Sequence, residues 1–102
     1  MNQTISLNEL THEIVGGEPY DYFPLGNYVV RAVGVCGGRP TFKYTRIEIS
    51  FILGLIATGH TVDQLVTSYD HPHLTHEAIY EAMTIANQTF ISSPIATKPL
   101  AA

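Results

Sequence analysis

Apolar positions recur with a helical period in the second half of the chain and with no single period in the first. "EISFILGLIATG" places Ile49, Ile52, Leu53 and Ile56 on one face, and Gly59 supplies a stop. "TVDQLVTSY" begins on Thr61 with Gln64 three residues later, a capping-box arrangement, and sets Val62, Leu65, Val66 and Tyr69 on one side. "THEAIYEAMTIANQTF" begins on Thr75 and carries Ile79, Ala82, Met83 and Ala86 at helical spacing. The spacing predicts three tandem helices over 48–90, split by "GH" and "DHPHL" and burying their apolar faces against one another.

The first half reads differently. "YVVRAVGV", Tyr28 to Val35, is short and β-branched and predicts a strand. "CGGRP" is turn chemistry. "TFKYTRIEI" sets Phe42, Tyr44 and Arg46 on one face against Lys43 and Thr45, which suits a second strand. In "ISLNELTHEIVGG" the residues Ile5, Leu7, Leu10, Ile14 and Val15 are loosely helical in spacing. Ser6 and Glu9 make a capping box there, and Gly16 with Gly17 ends the segment, so a short N-terminal helix is expected. "EPYDYFPLGNY" reads as loop, and the tail "ISSPIATKPLAA" as either disordered or bound to something. The expectation is one mainly α domain over 1–102. It comprises an N-terminal helix and loop (1–27), a small β-hairpin element (28–47), a three-helix unit (48–90) and a tail (91–102).

Composition bounds what such a domain can do. With 102 residues, 45% of them apolar and 14% charged, one core can form. The single cysteine, Cys36, permits no internal disulfide and points to a reducing compartment. "MNQTISLNEL" lacks the basic start and apolar run of a secretory leader, and no apolar stretch reaches the ~18 residues that span a bilayer. A soluble cytoplasmic protein with no membrane contact is expected.

The net charge of −4 conceals an asymmetry. Arg31, Arg39, Lys43 and Arg46 give the stretch from Tyr22 to Ile47 a local +4, with no acid in it, against −8 elsewhere. These four are the candidate nucleic-acid-binding residues, although a general nucleic-acid binder is usually basic overall.

Two helices joined by a short turn, with a third before them, make the skeleton of a helix-turn-helix. Helix 75–89 would then be the recognition helix and expose His76, Glu77, Tyr80, Glu81, Thr84 and Gln88. Two carboxylates facing phosphates are poor chemistry for that task, and a bundle used for packing or pairing accounts for the same helices. "VCGGRP" lacks the Lys-Ser/Thr ending of a phosphate loop and the third glycine of a dinucleotide fingerprint. Cys36 has no activating partner in sequence and reads as a small buried residue. His71, His73 and His76, with His60 and Asp70 nearby, match no strong zinc-ligand pattern. No metal, cofactor or catalytic residue is assigned, and an enzyme is not expected.

The order of residues from Gly34 to Met83 resembles the domain-of-unknown-function family 433. The matching residues are Gly38, Arg39, Pro40, Phe42, Thr45, Arg46, Ile47, Gly59, Thr61, Leu65, Tyr69, Leu74, Thr75, Ile79 and Ala82. The resemblance implies a homeodomain-like three-helix fold behind a small β element. It also implies kinship with VapB-type antitoxins that pair with ribonuclease toxins of the PIN type. Tyr44 departs from the pattern, standing where the family has Gly before Thr-Arg, and Tyr80 and Glu81 make the last helix acidic and aromatic. Residues 1–25 and the tail lie outside the resemblance.

The expected function is an antitoxin-like, DNA-binding regulator that neutralises a PIN-type toxin. The alternative is a protein-interaction or dimerisation module that never touches DNA. Arg46, beside Glu48, is expected to serve structure, leaving Arg39 and Lys43 for nucleic-acid or partner contact. Tyr20, Tyr22, Phe23, Tyr28 and the apolar tail carry more apolar surface than a small core hides, so a twofold homodimer is expected. The other expected partners are a toxin protein and operator DNA.

Overall fold

In a computed structural model, which describes residues 9–92, the chain folds as a four-stranded antiparallel sheet with three helices. Strands β1 (Thr11–Val15), β2 (Glu18–Pro24), β3 (Val29–Ala32) and β4 (Pro40–Phe42) lie side by side in chain order. A 3-10 turn over Cys36–Gly38 links β3 to β4, and α1 (Ile49–Ala57), α2 (Val62–Tyr69) and α3 (His76–Ser92) follow.

The β1–β2 hairpin is made by Gly16 and Gly17, whose φ angles of 60° and 82° give the two-residue turn that suits twisted strands. Tyr22 and Phe23 of β2 lie opposite Ala32 and Arg31 of β3, and Val29 lies opposite Phe42 of β4. Alternation along β3 then divides its side chains between two faces. Val29 joins Phe42, Ile49, Ile52, Leu65, Leu74, Ala78, Ile79 and Ala82 in the main core. Val30 and Ala32 pack with Tyr22 on the opposite face, bordered by Tyr20 and Val35.

The domain is therefore mixed α/β, and not a mainly α, homeodomain-like helix-turn-helix domain. The helices bury their apolar faces against Val29 and Phe42 of the sheet as well as against one another. The expected N-terminal helix is, where described, strand β1, and Ser6 of its capping box lies outside the described residues. Its helix-like spacing misleads because Ile14 is 72% exposed whereas Glu13, one residue earlier, turns inward to bond Tyr22. The expected loop around Tyr20 is β2. Its two prolines are tolerated because Pro24 ends the strand and Pro19 sits where no N–H is needed toward β1. The second predicted strand stops at Phe42 because Tyr44 adopts φ 67° and turns the chain away.

The helices match the pattern read from their apolar period. Thr61 and Gln64 form the capping box reciprocally, at 3.1 and 2.9 Å. Tyr69 and Met83 are exposed rather than buried. Among the described residues no helix is long and apolar enough to cross a membrane. The expected tail falls largely outside those residues.

Candidate functional site

The four basic candidates divide into two groups. Arg31, Arg39 and Arg46 surround the Cys36–Gly38 turn. Arg31 donates from Nη1 to the Gly38 carbonyl at 3.3 Å, and the Cys36 thiol donates to the Arg46 carbonyl at 3.3 Å. Arg39 meets Glu48 in a two-pronged pair, Nε to Oε1 at 3.0 Å and Nη2 to Oε2 at 3.1 Å. That contact holds the Glu48 carboxyl below its ordinary range. Glu48 is thus the partner of Arg39, not of Arg46. The Arg46 side chain is exposed and makes no hydrogen bond or ion pair among the described residues.

Lys43 belongs to a separate cluster on the tyrosine face of the sheet. Its Nζ lies 4.9 Å from the Tyr22 ring centre, 5.1 Å from that of Tyr44 and 3.8 Å from Glu13 Oε2. Glu13 also accepts hydrogen bonds from the Tyr22 hydroxyl and, at 2.7 Å, from the Tyr44 hydroxyl. The Tyr22 and Tyr44 donors, with Lys43 after them, hold the Glu13 carboxyl below its ordinary range.

Tyr44 is the pivot of this cluster. A left-handed backbone costs a non-glycine residue about 1–2 kcal/mol. Neighbours hold this turn without a glycine. The Tyr44 N–H donates to the Tyr20 hydroxyl at 2.8 Å, and Lys43 N–H to the Tyr28 carbonyl at 2.8 Å. Thr45, buried, donates from Oγ1 to the Phe42 carbonyl at 2.8 Å and accepts from Ile47 N–H at 2.9 Å. Two of the residues that fix Tyr44, Glu13 and Tyr20, come from the β1–β2 hairpin. The Tyr44 ring sits between those of Tyr20 and His73, at 5.3 and 5.1 Å between centres.

Two shallow clefts flank this ridge. Asn27, Tyr28, Lys43, Pro72, His73 and Thr75 line one with Tyr44. The other is lined on its far side by Val15, Tyr20, Val33, Val35, Arg46 and His71. The histidines do not converge on a common point. His76 pairs with Asp63 at 2.5 Å, His60 meets the Leu55 carbonyl, and His71 Nδ1 accepts from the His73 N–H at 3.0 Å. Among the described residues no group of three His, Cys, Asp or Glu side chains could hold a metal ion.

Glu81, read from sequence as exposed toward phosphates, instead caps a loop. Its carboxylate accepts from Asn27 N–H at 2.8 Å and Tyr28 N–H at 2.6 Å. A Cβ on Gly26 would meet that carboxyl at 2.6 Å, so a larger residue there would push the carboxylate from its place on the two N–H donors. Glu13, Tyr20 and Tyr22 were missed as site residues because they lie outside the matched pattern. The available signal was Gly16-Gly17 between "EIV" and the alternating tyrosines of "EPYDYF", a two-residue hairpin signature.

The family model described as "Protein of unknown function (DUF433)" matches residues 29–86, and the chain belongs to that family. Neither a curated protein nor a solved structure matches the chain.

Proposed function

We propose that this member of the DUF433 family is a non-enzymatic interaction module, a homodimer that grips a partner polypeptide along the Tyr44–His73 ridge. The observation that carries this reading is the packing of the Tyr44 ring between Tyr20 and His73, with its hydroxyl on Glu13. A large aromatic side chain fixed in advance loses little freedom on binding, and tyrosine and arginine are the residues that dominate interface energetics. Arg46 stands beside the ridge, exposed. The antitoxin expectation is one form of this reading, with a PIN-type ribonuclease as the partner.

Operator DNA is a second reading, favoured by Arg31 and Arg46, exposed around the Cys36–Gly38 turn and, unlike Arg39, set against no carboxylate among the described residues. Arg39 and Lys43, each already set against a carboxylate, would add less. Two phosphate contacts correspond to a slope of log K against log salt of about −1.8 per protomer.

Co-purification from the native host, compared with Tyr44→Gly and His73→Ala, tests the first reading. Tyr44→Gly keeps the left-handed turn and removes the ring. A partner captured by the parent chain and lost with both variants is the expected result. Equal capture by all three sinks the ridge. Salt-sensitive binding to the chain's own upstream DNA, abolished by Arg31→Glu with Arg46→Glu, would put the DNA reading first.

A further inference from the structure

The two edges of the sheet are finished differently. β4 is three residues long, and its outer side is occupied: Phe42 N–H donates to the Ile47 carbonyl at 3.0 Å, and Thr41 bridges to Glu48. No strand lies outside β1 among the described residues. Val15 and Glu18 close a two-residue turn, so the ladder bonds to β2 fall on Thr11, Glu13 and Val15. The N–H and C=O groups of His12 and Ile14 then point to the open side. The Val33 N–H to Asp21 carbonyl bond, 2.9 Å, agrees: Asp21, opposite His12, turns its backbone away from β1. Open edges of this kind are usually guarded by shortness, lysine, proline, a bulge or an inward-pointing charge. β1 is five residues long without lysine or proline, its inward charge, Glu13, is taken up by Tyr22, Tyr44 and Lys43, and Ile14 is 72% exposed on it.

We propose that β1 pairs antiparallel with β1 of a second copy, in a register centred on His12, to make one continuous sheet across a twofold axis. This rests on the homodimer reading above and supplies its surface. The sequence is self-complementary in that register. Leu10, also exposed, falls opposite Ile14 of the second copy, and Thr11 opposite its Glu13. The two His12 residues meet at the centre, each already matched with its own Asp21 at 2.9 Å. A register centred on Glu13 would instead set two carboxylates directly opposite one another, which is destabilising. The pairing residues His12 and Ile14 are the ones whose backbone groups face outward, so the register satisfies the hydrogen-bond pattern as well as the side chains.

Sedimentation at tens of micromolar, where even a micromolar dimer persists, tests the proposal with four variants. Ile14→Pro removes an outward N–H and nothing from the internal ladder, since residue 14 faces Pro19 at a position without ladder bonds. It is expected to raise the dimer dissociation constant at least tenfold with an unchanged circular dichroism spectrum. Ile14→Lys should do the same. Val33→Lys, at an exposed apolar residue off the edge, should leave the dimer intact. His12→Cys should cross-link to its own copy on mild oxidation, because hydrogen-bonded opposite residues lie about 5.5 Å apart at Cα. A parent chain that is monomeric overturns the homodimer reading and this proposal together. A dimer that persists in both Ile14 variants overturns only the edge and leaves the homodimer reading standing. Absence of the His12→Cys cross-link in a dimer that Ile14→Pro dissociates overturns the register. A monomeric parent that dimerises once residues 1–8 are removed assigns the edge to the start of the same chain and also overturns the proposal.

Discussion

The β1–β2 hairpin and the unit behind it are held by opposite means. From β3 onward the chain is fastened by interlocked apolar side chains: Phe42, Ile52, Leu74 and Ile79 are fully buried in one core. Beyond its ladder with β3, the hairpin contributes mainly Tyr22 to a second, smaller cluster and is fastened by a carboxylate, Glu13, that joins Tyr22, Tyr44 and Lys43. Apolar burial is non-directional and cumulative, whereas this fastening depends on a few directed contacts. One region should therefore fail as a whole when weakened, and the other should detach locally.

The largest effect should come from the core. Phe42→Ala is expected to cost about 3–5 kcal/mol and Ile79→Ala about 2–5 kcal/mol in denaturant unfolding. A loss below about 0.5 kcal/mol from either would erase the contrast. Next is the joint between loop and helix. Glu81→Ala strips the acceptor from Asn27 and Tyr28 N–H and should cost about 1.5–3 kcal/mol. Glu81→Gln should recover part of that, which separates lost hydrogen bonds from lost packing. Thr61→Ala removes the capping box of α2 and should cost about 0.5–2 kcal/mol, without touching the hairpin.

The smallest effect should be that of pH. Glu13 and Glu48 both titrate below their ordinary value of 4.5, Glu13 through Tyr22 and Tyr44 and Glu48 through Arg39. A carboxylate whose pKa is lower folded than unfolded adds stability that is present above the unfolded value and lost as pH falls through the folded one. Both lie near the surface, so screening keeps the contribution small. Hairpin protection, taken relative to the intrinsic exchange rate at each pH, should fall only below about pH 4.5, and Glu13→Gln should remove that step while leaving the part due to Glu48. A hairpin that loosens between pH 5 and 8 would point to histidine instead.

How much of this was legible in the sequence follows from the same contrast. Ile49, Ile52, Leu65, Ile79 and Ala82 repeat with the helical period because their helices bury one face, and Thr61 with Gln64 marks a start, so all three helices could be read. β3 could be read from its β-branched run. In the hairpin, β1 could not be read from alternation, because its inward residue is Glu13 while Ile14 faces solvent, and only Gly16-Gly17 with the alternating Tyr20 and Tyr22 marked the pair. Its polar fastening reverses the pattern that burial would write. The basic residues were visible as a group, but not the carboxylates that take Arg39 and Lys43, because Glu13 lies 30 positions from Lys43 along the chain. Tyr44 was visible as a departure from the resembled pattern, and only the structure reveals what compensates for it: hydrogen bonds that Tyr44 donates to a segment outside the matched residues 29–86.

Amide hydrogen exchange on the parent chain and on Tyr44→Gly tests most directly whether Tyr44 latches the hairpin in addition to the β2–β3 ladder. Glycine relieves about 1–2 kcal/mol of left-handed backbone cost and releases Glu13 and His73 from the ring. The expected result is faster exchange confined to the ladder amides of Glu13, Val15, Tyr20 and Tyr22, with Ile52, Leu65 and Ile79 as protected as before. Unchanged hairpin amides, or hairpin and core amides losing protection together, would contradict the latch.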